Sequence, residues 1–168
     1  MDNKSENKTI EERFEYKGYP CVVKFMPWGY RCGYVGISEF DSLYDIKPED
    51  LNMSILCHGG ISYDGRYLLG DERNGFRWIG FDCHHVGDGC DYELAKERYS
   101  GDDYFAIAMN DIDIKSKRHS GTVFGPIRDK QFVIRECEYI VDQLIVMERK
   151  LNKEAYNGSK QCECKEES

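Results

Sequence analysis

The chain has 168 residues, 40% hydrophobic and 32% charged, which is enough apolar material for one self-supporting core. Lys and Arg number 23 against 31 Asp and Glu, a net charge of -8, so the surface as a whole repels nucleic-acid backbones and direct nucleic-acid binding is disfavoured. No apolar run approaches the ~20 residues of a membrane span, and Met1 to Arg13 lacks the apolar core of a signal peptide, so the expectation is a cytoplasmic protein whose 8 cysteines are mostly reduced.

In chain order, residues 1–13 read as a disordered polar leader, 14–152 as one folded domain and 153–168 as a disordered charged tail holding Cys162 and Cys164. Phe14 to Phe25 predicts a hairpin about a Lys17-Gly18 turn, and Tyr30 to Ile37 a further strand. Asp41 to Asn52 is a polar, Pro-containing connection. Ser54 to Tyr63 and Phe76 to Cys83 predict two more strands, joined by a loop rich in Gly and Arg. Asp91 to Glu97 predicts one or two helical turns, and Tyr104 to Met109 a short edge strand.

Asp129 to Leu151 carries the strongest periodic signal. Val133, Cys137, Ile140, Leu144, Met147 and Leu151 form one helical stripe, with Ile134, Val141 and Ile145 as a second beside it. One wide face would cover a sheet. Two faces would serve a sheet and a twin helix, and on that reading the helix makes a homo-oligomer. The predicted fold class is α+β: a single domain with a meandering antiparallel sheet packed with one long C-terminal helix.

The chemistry concentrates between Cys57 and Asp88, where three of the 4 histidines lie beside glycines and carboxylates. With Ser54 to Tyr63 extended, His58 and Gly60 share a face; in the next strand Trp78, Gly80 and Asp82 share one. Gly60 and Gly80 would then open a hollow walled by Trp78, His58 and Asp82, with Gly59 beside it. His58, Asp82, His85 and Asp88 supply nitrogen and carboxylate donors suited to zinc or manganese. Without metal, Asp82 with His58 or His85 would make a general-base pair, and Cys83 a nucleophile. His84 reads as a surface residue. Arg66, Arg73 and Arg77, interleaved with Tyr63, Tyr67 and Trp78, suit a planar anionic ligand, with guanidinium on phosphate and ring on base.

These motifs resemble a family of small proteins encoded by bacteriophages and prophages. The likeness is carried by Tyr30 to Gly36, by His58-Gly59-Gly60 with Tyr63, by the Trp-x-Gly-Phe-Asp-Cys-x-His-x-Gly-Asp run from Trp78 to Asp88, and by Glu136-Cys137. It spans roughly positions 14 to 147 and picks out His85 rather than His84. The resemblance implies an origin in phage, action in the host cytoplasm, and a role against bacterial defences. On the favoured reading the protein captures a small nucleotide signal, a cyclic nucleotide or ADP-ribose derivative, through His58, Gly59, Gly60, Tyr63, Arg66, Arg73, Arg77, Trp78, Asp82, His85 and Asp88, with no cofactor required. One alternative is a hydrolase of a nucleotide or phosphoester with a divalent metal, zinc or manganese, on His58, Asp82, His85 and Asp88. Another is an acidic inhibitor that binds a defence nuclease directly.

Overall fold

Lys17 and Gly18 take positive φ angles of 49° and 87°, the twist that suits a two-residue hairpin turn, and they join β1 (Ile10–Tyr16) to β2 (Tyr19–Phe25). The computed structural model describes residues 8–71, 73–101, 103, 105–107, 110 and 125–163, with side chains as far as residue 153. β3 (Arg31–Ser38) pairs antiparallel with β2, β5 (Phe76–Asp82) with β3, and the short β4 (Tyr63–Gly65) with the outer side of β5. The sheet order is therefore β1-β2-β3-β5-β4. Helices α1 (Pro48–Ser54), α2 (Tyr92–Tyr99) and α3 (Lys130–Glu163) complete a single α+β domain, the predicted class.

One face of the sheet carries Cys21, Val23, Val35, Ile37, Ile79, Phe81 and Cys83, and α3 covers it with Val133, Cys137, Ile140, Val141 and Leu144. Gly33 lets the helix sit close, since a Cβ there would come within 2.6 Å of the Phe81 ring and 2.8 Å of Cys137 Sγ. The other face holds a smaller cluster of Val22, Leu68 and Trp78, with Tyr34 and Tyr63 against it. Both stripes of α3 pack on the same core: Ile134, Ile145, Met147 and Leu151 are partly buried against it, and Leu144 is fully buried within the chain. The second stripe thus widens the sheet-facing side of the helix.

The structure corrects several element readings. β1 starts at Ile10 rather than Phe14, because its ladder with β2 runs back to the Ile10–Lys24 pair, inside the expected leader. Pro48, followed by Glu49 and Asp50, starts α1 inside the expected connection; a proline in the first turn loses no helical bond and the acids meet the positive helix end. The strand expected over Ser54 to Tyr63 does not form, and only Tyr63 belongs to a strand, as the first residue of β4. α1 ends at Ser54, and Gly59 and Gly60 turn the chain with φ of 69° and 88°. Phe105, Ala106 and Ile107 are helical, whereas the rest of the expected Tyr104–Met109 strand (Tyr104, Ala108 and Met109) lies outside the described residues. α3 continues to Glu163, through much of the expected tail.

Candidate metal centre

Two loops meet at one end of β5, and α3 and the segment before it hold both. The first is the turn at Cys57–Gly60, closed by the Gly60 amide donating to the Cys57 carbonyl at 3.1 Å. The Gln143 side chain brackets Leu56, accepting from its amide at 2.8 Å and donating to its carbonyl at 2.7 Å. Glu136 Oε2 accepts from the His58 amide at 2.8 Å. The second loop follows β5, from Cys83 to Gly89. Its start is tied by the Cys83 amide to the Arg31 carbonyl at 2.9 Å, and its end by the Gly89 amide to the Pro126 carbonyl at 3.1 Å. Gly125 lies directly on the Gly87 backbone, so close that no side chain fits between them.

Asp88 is the centre of this arrangement, with its side chain only 4% exposed. His58 Nε2 lies 2.7 Å from Asp88 Oδ2, Arg128 Nε donates to Oδ1 at 2.9 Å, and the His85 amide donates to Oδ2 at 3.2 Å. Burial alone would push the Asp88 carboxyl up, but the bonds from His58, Arg128 and the His85 amide outweigh it and hold the group at about 2. His85 Nδ1 lies 3.4 Å from the same Oδ2, is buried, and makes no hydrogen bond among the described residues. One donor atom each from His58, His85 and Asp88 lies within 4.8 Å of the others. The two imidazoles meet edge to face at 5.3 Å, and His58 stands edge-on to Phe132 at 5.4 Å. Gly59 presses on the His85 ring, and any Cβ there would overlap it.

Asp82 adjoins the cluster rather than entering it. Its Oδ1 is 3.9 Å from His85 Nε2; Ser62 Oγ donates to Oδ2 at 2.8 Å and the His84 amide to Oδ1 at 3.1 Å. His84 itself points away and stacks on Tyr30 at 4.5 Å, exposed as expected. His58, Gly59, His85 and Asp88 are thus brought together, with Asp82 beside them. Arg128, Phe132 and Glu136 also build the site. Glu136 was legible only as part of the Glu136-Cys137 motif, and nothing in the sequence marked the other two.

The remaining candidates fall elsewhere. The expected hollow does not form: the Tyr34 ring covers Gly80, where a Cβ would lie 2.5 Å from it, and Trp78 is fully buried on the sheet face opposite α3. Tyr63 packs edge-on to Tyr34 at 5.5 Å and donates its hydroxyl to the Tyr67 carbonyl. Gly60 serves the turn. Arg77 is buried in a two-pronged bond to Asp64 (2.8 and 2.6 Å) and also donates to the carbonyls of Tyr44, at 3.0 Å, and Ile46. Arg73 grips Asp71 at 2.8 and 2.5 Å and lies over Trp78. Arg66 is exposed, 3.6 Å from Asp45 and above the Tyr44 ring. Each of the three guanidiniums thus has a carboxylate partner within the chain, Asp64 for Arg77, Asp71 for Arg73 and Asp45 for Arg66. Cys83 is buried, and burial pushes its thiol up, which removes it as a nucleophile. Cys21, Cys32, Cys57, Cys83, Cys90 and Cys137 are free thiols.

No protein-family model, curated protein or solved structure matches the chain. Chemically, two imidazoles and one buried carboxylate form a three-donor set. Such a set holds a divalent cation while leaving a coordination position for water or substrate.

Proposed function

We propose that this protein is a metal-dependent hydrolase whose divalent cation, zinc or manganese by donor type, is held by His58, His85 and Asp88. The observation that carries the reading is the convergence of the three donors around Asp88, with His85 Nδ1 buried and without a hydrogen-bond partner. Buried polar atoms are rarely left unsatisfied, and a divalent cation between this ring nitrogen, the carboxylate and the second imidazole would satisfy it. When bound, the metal supplies an activated water and polarises the substrate oxygen. Arg128 and the His85 amide keep Asp88 ionised and aimed, and Gly59, having no side chain, makes room for the His85 ring.

The substrate class we propose is a nucleotide or related phosphoester, in the cytoplasm of a phage-infected host. That part rests on the resemblance to phage proteins. Capture of an unchanged nucleotide ranks below hydrolysis, because Arg73 and Arg77 are engaged by Asp71 and Asp64 and Trp78 is buried. The test is elemental analysis of the purified protein, followed by incubation with a nucleotide panel. The expected result is about one metal equivalent per chain, with product formation that stops on chelation and returns with metal. Failure to take up metal overturns the reading, and unchanged nucleotide recovered after denaturation replaces hydrolysis with capture.

A further inference from the structure

We infer that Asp82 is the positioning residue of this centre, holding His85 in the tautomer that presents Nδ1 to the cation. The inference rests on His85 ligating through Nδ1, and so on the metal reading above. The two ring nitrogens face different carboxylates. Nδ1 faces inward, 3.4 Å from Asp88 Oδ2, while Nε2 faces Asp82 Oδ1 at 3.9 Å. A neutral imidazole carries one N–H and one lone pair, so the two settings cannot be served alike. With the proton on Nδ1, the Nε2 lone pair confronts the Asp82 carboxylate and the cation loses a donor. With the proton on Nε2, an N–H faces Asp82 and the Nδ1 lone pair faces the centre. Asp82 selects the second form.

The local structure suits that role. Ser62 Oγ and the His84 amide each donate to one Asp82 oxygen, which fixes the plane of the carboxylate. Gly59, at φ 69°, backs the imidazole and leaves it no room to turn that way. At 3.9 Å the contact is electrostatic rather than a hydrogen bond, and the carboxylate still favours an N–H over a lone pair on the ring atom that faces it. A carboxylate behind a metal-bound imidazole both fixes the tautomer and raises the basicity of the donor atom. Asp82 is 30% exposed in its side chain, so its replacement leaves no buried charge stranded.

The experiment compares wild-type protein with Asp82→Ala, Asp82→Asn and Ser62→Ala. It measures zinc affinity by chelator competition, the visible spectrum of the cobalt form, and melting of the metal-free protein. Asp82→Ala should weaken zinc about 10–100-fold, the usual cost of removing such a partner. Asp82→Asn, which keeps an acceptor oxygen without the charge, should recover part of the loss. Ser62→Ala, which leaves Asp82 in place but less firmly held, should give a smaller loss in the same direction. The cobalt spectrum of the saturated variants should keep the wild-type band pattern, because the ligands themselves are unchanged. Wild-type zinc affinity in both Asp82 variants overturns the inference and leaves the metal centre standing, and so does a fall in melting temperature with affinity per folded molecule unchanged. Absence of zinc binding by the wild type overturns the metal centre itself, and the inference with it.

Discussion

The two ends of β5 lead into two polar clusters of similar raw material and opposite character. At the start, Arg77 is buried against Asp64 and two backbone carbonyls, and nearby Arg73 grips Asp71; every charge is matched within its own cluster. Beyond the end, His58, His85 and Arg128 all converge on Asp88, and one ring nitrogen is left over. The first cluster is closed and stabilises the fold. In the second, two ring nitrogens and one carboxylate converge and one of the ring nitrogens has no hydrogen bond among the described residues; on that donor set the proposed metal centre rests. Charged and aromatic residues in a loop do not make a binding surface when the fold pairs them internally.

The largest expected effect separates the clusters by function. His85→Ala should abolish tight zinc binding in a chelator-competition assay, with melting of the metal-free protein little changed. Gly59→Val should also abolish it, since its side chain would displace the His85 ring, and at φ 69° it should lower the melting temperature as well. If either variant binds zinc as the wild type does, the site is misplaced. Next in size is Arg77→Ala, which strands Asp64 and two carbonyls and should cost about 3 kcal/mol in denaturant unfolding, without changing metal affinity per folded molecule. Arg77→Lys should restore little of it, because lysine cannot reproduce the fork.

The pH response sharpens the contrast further. The Asp88 carboxyl is held at about 2 in the fold against an ordinary 3.8. A depressed folded value means that its stabilising contribution is fully present above pH 3.8 and is lost as pH falls towards about 2. The stability gap between metal-free wild type and Asp88→Asn should therefore narrow across that window. A gap that widens on acidification would contradict the assignment of Asp88 as the hydrogen-bonded anion. Smallest of all, Arg66→Ala should change unfolding free energy by less than about 1 kcal/mol, because its pairing with Asp45 is exposed on both sides.

The strands β2, β3 and β5 and the long helix were legible because apolar periodicity reports directly on which face is buried. α1 was not, because its short run from Pro48 exposes most of its side chains and buries Leu51 alone. The alternation that predicts a strand over Ser54–Tyr63 runs through Gly59 and Gly60, whose positive φ angles turn the chain instead of extending it. His58, Asp82, His85 and Asp88 could be picked out as residue types gathered among glycines. Arg128 and Glu136 could not, since their roles depend on contacts across 40 and 78 positions that only the packing of α3 and its approach creates. The arginines misled for the converse reason. Asp64 and Asp71 lie in the same stretch as Arg77 and Arg73, but the closed pairs appear only once β4 is laid against β5 and the intervening loop folds.

The central claim is that two imidazoles and one carboxylate hold the cation, in a chain that also carries 8 cysteines able to scavenge it. X-ray absorption at the zinc edge, on protein loaded with one equivalent, tests it most directly. The account predicts a first shell of nitrogen and oxygen at about 2.0–2.2 Å, two scatterers showing the outer-shell pattern of imidazole, and loss of that pattern in His58→Ala and His85→Ala. A first shell dominated by sulfur at about 2.3 Å, unchanged in those variants, would contradict it.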